Sequence, residues 1–372
     1  MKSCWNKIIS LALLVCPVEA FADINIAIIA PMSGNYKYYS EELFNGAKIA
    51  VDEINNRGGL QGEKVNLVPV DDPCDDVLSL STAQMISLNK SPEDKMYLVI
   101  GPHCSNVADQ VADLLKQAQI VQIHPTGISK TFYLNSHPNI IRFSGYKEDQ
   151  ARGAIKFIAS HYPDQKIAVI YNENNAEMKS IADALNDEYI KLKTGNDLMM
   201  VPYIGDEVSI SAAVAKIVSS DVGLVYVMGG YGDILSISEQ LKDAKDDVVL
   251  LTDRYYLSKK FIRKSNELSK DSLILSLSSL KNNPNFASNL VRLRLWGIEP
   301  EGLMPYGYLS VKMWSNMVNG AKSFKYSRVL KRLRGKKVDT GWGNVSFDEG
   351  KPDVSAPFTV YHVKDGEYTQ VQ

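Results

Sequence analysis

The sequence predicts a two-lobed α/β protein built on parallel sheets. Apolar strand-like runs alternate with amphipathic helix-like segments along nearly the whole chain. The cycle starts afresh near residue 145. About 350 residues remain once an N-terminal export signal is set aside, beyond the roughly 250–300 at which one core usually divides.

The export signal comes first. Lys2 and Lys7 flank the start of a short apolar run over residues 8–15, and Ala20-Phe21-Ala22 forms a cleavage site ahead of Asp23. That run is too short to span a bilayer, and no later stretch reaches the roughly 20 apolar residues a span needs. The mature chain is therefore expected to be exported, cleaved after Ala22 and periplasmic. Cys16 offers a lipid-anchor alternative, which bulky Val15 and the downstream cleavage site disfavour.

From Asp23 the elements follow in order. Residues 24–30 read as a strand and 41–57 as a helix stopped at Gly58-Gly59. Residues 64–71, 97–101 and 120–124 read as strands, with helices at 77–88 and 106–119 between them. In the second half, helices at 149–161, 176–192, 209–219 and 236–245 alternate with strands at 166–171, 198–203, 222–229 and 248–252. A strand then starts at about Ser272, helices follow at 285–296 and 305–321, and short strands at 344–347 and 358–363 close the chain. Strand, helix and strand at this spacing give a parallel sheet covered on both faces.

Charge and motifs exclude several functions. There are 41 basic and 43 acidic residues, net −2, with no basic block or acidic tail, which argues against nucleic acid or a membrane surface as partner. No G-x-S-x-G elbow, P-loop or H-E-x-x-H occurs, and the five histidines lack a metal-ligand spacing. No enzyme activity, cofactor or metal is expected. Gly230-Tyr231-Gly232 hints at a dinucleotide fingerprint, but Leu235 stands where its third glycine belongs, so a tight strand-to-helix turn is the better account. Cys74 and Cys104 are the cysteines left in the mature chain. An oxidising compartment makes a disulfide between them the expected state, with two buried thiols as the alternative.

Ligands of open parallel sheets bind beyond the carboxyl ends of the strands. Gly101-Pro102-His103-Cys104-Ser105-Asn106 follows a strand and opens a helix, so its N–H groups and the Ser105 hydroxyl suit an anionic oxygen. Capping of its own helix explains Ser105 or Asn106 equally well. Thr126, Gly127, Ile128 and Ser129 have the same placement after the next strand, and Tyr231, Asp253 and Arg254 stand at strand ends of the second half.

Several motifs together resemble the periplasmic leucine/isoleucine/valine-binding protein family, the type I solute-binding proteins of ABC importers. They are Ala30-Pro31-Met32-Ser33-Gly34, Phe44-Asn45-Gly46-Ala47, Ile54-Asn55-Asn56-Arg57-Gly58-Gly59-Leu60-Gln61-Gly62 and Asp71-Asp72-Pro73-Cys74-Asp75. Val99-Ile100-Gly101, Cys104-Ser105, Pro305-Tyr306 and Phe347-Asp348 extend the match almost to the C-terminus.

The resemblance implies a type I periplasmic-binding-protein fold, two Rossmann-like lobes joined by three crossovers near residues 144, 273 and 354. Lobe one would comprise 23–144 and 274–353, lobe two 145–273 and 354–372. It implies a monomeric receptor with a small-molecule ligand and an inner-membrane ABC permease as partners. A ligand-sensing subunit that signals through a membrane or regulatory partner is the alternative. Ser105 and the loop from Thr126 through Gly127 and Ile128 to Ser129 would take the ligand carboxylate. Asp253 would pair with an ammonium, unless Arg254 occupies that place. Ile128 stands where amino-acid binders commonly have threonine, Lys147 replaces an acidic residue at the crossover, and Ala176 replaces a pocket tyrosine. The ammonium side of the site thus differs from the family pattern.

Overall fold

A computed structural model describes residues 23–34, 37–72, 75–89, 91, 93–102, 108–125, 140–142, 147–192, 198–245, 247–253, 272–333, 337–339, 344–348, 351–352, 358–364 and 367–371. The export signal and Cys16 lie outside the described residues.

The first half runs β1 (Ile24–Ala30), α1 (Lys37–Asn56), β2 (Val65–Asp71), α2 (Asp76–Leu88), β3 (Met96–Ile100), α3 (Ala108–Gln117), β4 (Val121–His124) and β5 (Ile140–Arg142). Its strands form a parallel sheet of order β2-β1-β3-β4-β5. All seven residues of β1 are buried, as expected of a central strand covered on both faces.

The second half repeats the plan with α4 (Lys147–His161), β6 (Lys166–Asn172), α5 (Ala176–Leu192), β7 (Leu198–Tyr203), α6 (Glu207–Val218), β8 (Val222–Met228), α7 (Tyr231–Ala244), β9 (Val249–Thr252) and β10 (Ser272–Leu277). These strands lie in the order β7-β6-β8-β9-β10, the same order as the first sheet, and are parallel. Two 3-10 turns, Leu280–Asn282 and Pro284–Phe286, lead to α8 (Ala287–Leu295), α9 (Met304–Ala321) and α10 (Tyr326–Lys331). A small antiparallel sheet of β11 (Lys337–Asp339), β12 (Asn344–Asp348) and β13 (Lys351–Pro352) follows. Finally β14 (Phe358–Lys364) and β15 (Glu367–Gln370) add antiparallel strands beside β10.

Helix α9 returns to the first half and crosses α1 at backbone contact. A Cβ at Gly46 would overlap the Met304 carbonyl, and one at Gly307 would overlap that of Leu43. Beside this crossing, buried Glu53 accepts from Tyr308 Oη (3.1 Å to each oxygen) and from Lys312 Nζ (3.3 Å), with Arg292 at 3.6 Å. Helices α2 and α3 cover the opposite face, where Ala83, Ile86, Val111 and Leu115 pack with Ala27, Ile29 and Val99.

The structure departs from the sequence reading at several elements. The three-residue strand β5 was not foreseen, since Ile140–Arg142 is too short to show a period. Helix α7 starts at Tyr231 rather than near Ser236, because Gly230 is its N-cap and Gly232 lies inside its first turn. Helix α10 and strands β11, β13 and β15 are likewise additions.

Candidate functional site

In each sheet the strand order reverses between the first and third strands, β1 and β3 in one and β6 and β8 in the other. Loops leaving the carboxyl ends of such strands open a crevice. The helices that follow β1 and β8 carry the aromatic pair that joins the halves. Tyr38, in the first turn of α1, stacks on Tyr231, the first residue of α7, with ring centroids 5.5 Å apart and 28° between planes. Burial raises the Tyr231 phenol above its ordinary pKa.

The carboxyl-end loops of the first sheet are braced by their own acidic residues. Asp71 accepts from the Met32 N–H at 2.7 Å, tying the end of β2 to the loop after β1. Fully buried Asp72 accepts from the Ser79 hydroxyl. Asp75 caps α2 by accepting from the N–H groups of Val77 and Leu78, both at 3.0 Å. After β3, the buried Gln122 amide donates to Gly101 O at 2.9 Å and lies 2.9 Å from His124 Nε2. The three aspartates of the Asp71-Asp72-Pro73-Cys74-Asp75 motif are thus engaged in fixing loops.

Two networks hold the facing end of the second sheet. At the start of α7, Asp233 accepts from the Gly230 N–H at 3.2 Å and from the Tyr203 hydroxyl at 2.9 Å. Burial raises the Asp233 pKa, against the opposing effect of the Tyr203 hydrogen bond. Gly229 makes this possible, since a Cβ there would overlap the Tyr203 hydroxyl. The turn from strand to helix is therefore confined to Gly229 and Gly230, tight as the sequence suggested but one step earlier, with Tyr231 and Gly232 already in the helix.

The second network centres on Asp253, which directly follows β9 and is 0% exposed. Gln150 Nε2, from α4, donates to Asp253 Oδ1 at 2.7 Å and to the Tyr226 hydroxyl at 3.1 Å. Gln150 and Tyr226 are themselves wholly buried. The three side chains join α4 to the ends of β8 and β9.

Of the residues expected from sequence, the structure brings Tyr231 and Asp253 to carboxyl ends of the second sheet. Lys147 is the first residue of α4. Ser105, Thr126, Gly127, Ile128, Ser129, Arg254, Cys74 and Cys104 lie outside the described residues. Sequence reasoning missed Tyr38 and Gln150. Tyr38 is one of several tyrosines in a short stretch of sequence, and Gln150 is a polar residue within an amphipathic helix, where no local signal separates a buried amide from a solvated one. Among the described residues no cluster of three or more His, Cys, Asp or Glu could hold a metal, and no helix is long and apolar enough to cross a membrane.

Comparison with known proteins agrees with this architecture. The family model described as periplasmic binding protein matches residues 23–259. A curated relative, the Leu/Ile/Val-binding protein BraC3 of Rhizobium johnstonii, is 27% identical over 355 residues, covering 94% of each chain. Among solved structures, the branched-chain amino acid substrate-binding protein LivJ of Streptococcus pneumoniae, in complex with isoleucine, superposes with a TM-score of 0.74 at 20% identity, covering 94% of this chain and 99% of that one. A solute-binding protein of an ABC transporter from R. palustris, in complex with benzoate, gives 0.77 at 17% identity, covering 94% and 96%. The duplicated sheets with their shared strand order and these matches lead to one assignment: the chain belongs to the periplasmic binding protein family, with the type I fold of the Leu/Ile/Val-binding proteins.

Proposed function

We propose that this protein is the periplasmic receptor of an ABC importer, and that it captures an amino acid or similar small carboxylate between two lobes and hands it to an inner-membrane permease. The observation that carries the proposal is the Tyr38–Tyr231 stack, contributed by the first turns of the helices that follow the reversal-point strands β1 and β8. A crevice closed by a residue from each side suits a molecule that is held by both and released when they part. The lobes are residues 23–144 with 274–353, and 145–273 with 354–372.

Ser105 and the loop from Thr126 to Ser129 hold the carboxylate, the group shared by the isoleucine and benzoate of the related structures. Lys147, at the start of α4, and whichever of Asp253 and Arg254 faces the ligand set the charge at the far end. An ammonium is favoured by Asp253 and a second acidic group by Arg254.

The test is a thermal-shift panel of amino acids, dicarboxylates, aromatic carboxylates, amides and sugars on the purified mature protein. A ligand at a hundred times its dissociation constant adds about 2.7 kcal/mol to the native state. At least one carboxylate is expected to raise Tm and to be recovered chemically unchanged. A panel in which only uncharged compounds stabilise the protein, or in which the ligand is converted to product, overturns the proposal.

A further inference from the structure

The C-terminal hairpin β14–β15 meets the segment that follows β10 along a seam of polar and aromatic contacts. The chain leaves β10 through Ser278 and Ser279, turns through Leu280–Asn282 and so enters the first lobe. Tyr361, on β14, accepts a hydrogen bond from the Ser279 N–H at 2.6 Å. The Ser279 hydroxyl in turn accepts from the Lys281 N–H at 3.3 Å, which fixes where the Lys281 side chain sets out. Its ammonium lies 3.0 Å from Glu299 and 3.3 Å from Glu301, both in the segment between α8 and α9. The same ammonium stands over the Tyr368 ring of β15, 5.5 Å from the centroid. Tyr361 steadies that ring edge-to-face, with centroids 5.7 Å apart.

We infer that this hairpin is a latch on the crevice, an inference that rests on the two-lobed receptor proposed above. Tyr368 of the second lobe rests on Lys281 of the first while the lobes are closed, and parts from it when they open. Glu299 and Glu301 tie the ammonium to the first lobe. Tyr361 and the pairing of β15 with β14 tie the ring to the second. A rotation between the lobes therefore breaks the cation–ring contact and leaves the ion pairs whole. At 5.5 Å that contact is close to the roughly 6 Å reach of a cation–π attraction, so a relative shift of about 1–2 Å ends it. The Tyr361 bond instead sits on the connecting chain, where a hinge moves atoms least. A cavity bordered by Leu303, Tyr306 and Tyr368 lies beside the ring and gives the seam room to move.

The latch is engaged in the arrangement in which Tyr38 and Tyr231 stack across the crevice. The Lys281 side chain is 19% exposed, and a cation withdrawn from water gains more from a ring than a solvated one. The latch thus raises the closed population of the empty receptor, and with it the apparent affinity, from outside the crevice.

Pulsed dipolar distance measurement on the ligand-free mature protein provides the test. Spin labels are carried on ketone-bearing residues in place of Lys116 in α3 and Lys216 in α6, both exposed. The wild type is expected mostly at the closed distance given by the structure, with a minor second distance for parted lobes. Tyr368→Leu and Lys281→Met should each lower the closed-to-open ratio roughly five- to thirtyfold, and the two together no further than either alone. Tyr368→Phe, which keeps the ring, and Lys281→Arg, which keeps the cation, should match the wild type. A ratio unchanged in Tyr368→Leu, or reduced as much in Tyr368→Phe, overturns the latch and leaves the receptor standing. A single distance in every variant overturns the latch together with the two-lobed reading beneath it.

Discussion

Replacing Gln150 by leucine removes one donor from the middle of the second half while nearly preserving volume. Two hydrogen bonds go, at 2.7 Å to the Asp253 carboxylate and 3.1 Å to the Tyr226 hydroxyl. A bond to a charged acceptor contributes about 1.5–3 kcal/mol and a neutral one about 0.5–1.5 kcal/mol. Both former partners stay 0% exposed in the native state, so water does not readily replace the amide. The expected cost is roughly 2–4 kcal/mol. Urea unfolding of wild type and Gln150→Leu at pH 7 measures it, with the slope in denaturant unchanged. A double-mutant cycle with Asp253→Asn isolates the charged part, which should couple to Gln150 by at least about 1 kcal/mol. A loss below about 0.5 kcal/mol, the usual effect of a surface substitution, would refute the network as a support of the strand ends.

Other expectations follow from single features. Glu53→Ala leaves Lys312 and Arg292 beside an empty place, and breaking a buried pair from one side costs about 3–5 kcal/mol, so its denaturation midpoint should fall well below that of Glu53→Gln. The bidentate Arg294 contact holds the Glu299 carboxyl at about 2 instead of 4.5. A depressed folded pKa stabilises above the unfolded value, so the advantage of wild type over Glu299→Gln should be complete above about pH 4.5 and vanish as pH falls towards 2; a gap that widens on acidification would contradict this. Cys74 and Cys104 should give no reactive thiol in the unreduced, denatured mature protein. The loop of about 30 residues that the bridge would close adds about 3.6 kcal/mol in the chain-entropy model; two titratable thiols would remove the bridge.

Much of the fold was legible because parallel strands leave strong local traces. Strand β1, buried at every residue, and β8, buried at all but Gly223, appear as runs that are apolar almost throughout, and Gly58-Gly59 marks the end of α1 by positive φ at both residues. Elements defined by distant partners were not legible. Strand β5 exists through its pairing with β4, and β15 through its pairing with β14. The start of α7 was misplaced because glycine usually breaks helices, whereas Gly230 caps this one and Gly229 makes room for Tyr203.

For the site, position was easier to read than partnership. Strand ends could be counted along the chain, which put Tyr231 and Asp253 on the correct side of the second sheet. That Tyr231 meets Tyr38, and Asp253 meets Gln150 from 103 residues away, depends on tertiary packing that local sequence does not encode.

Titration calorimetry of the mature protein with the ligand from the panel, comparing wild type, Ser105→Ala and Tyr231→Ala, tests the proposed interlobe site most directly. The wild type should bind one ligand per chain. Ser105→Ala should lose about 1.5–3 kcal/mol for a missing charge-assisted bond. Tyr231→Ala should also bind more weakly, by at least the roughly 0.5–1.5 kcal/mol of its aromatic contact. Losses in both variants place the ligand between the lobes. Wild-type affinity in both would contradict that placement.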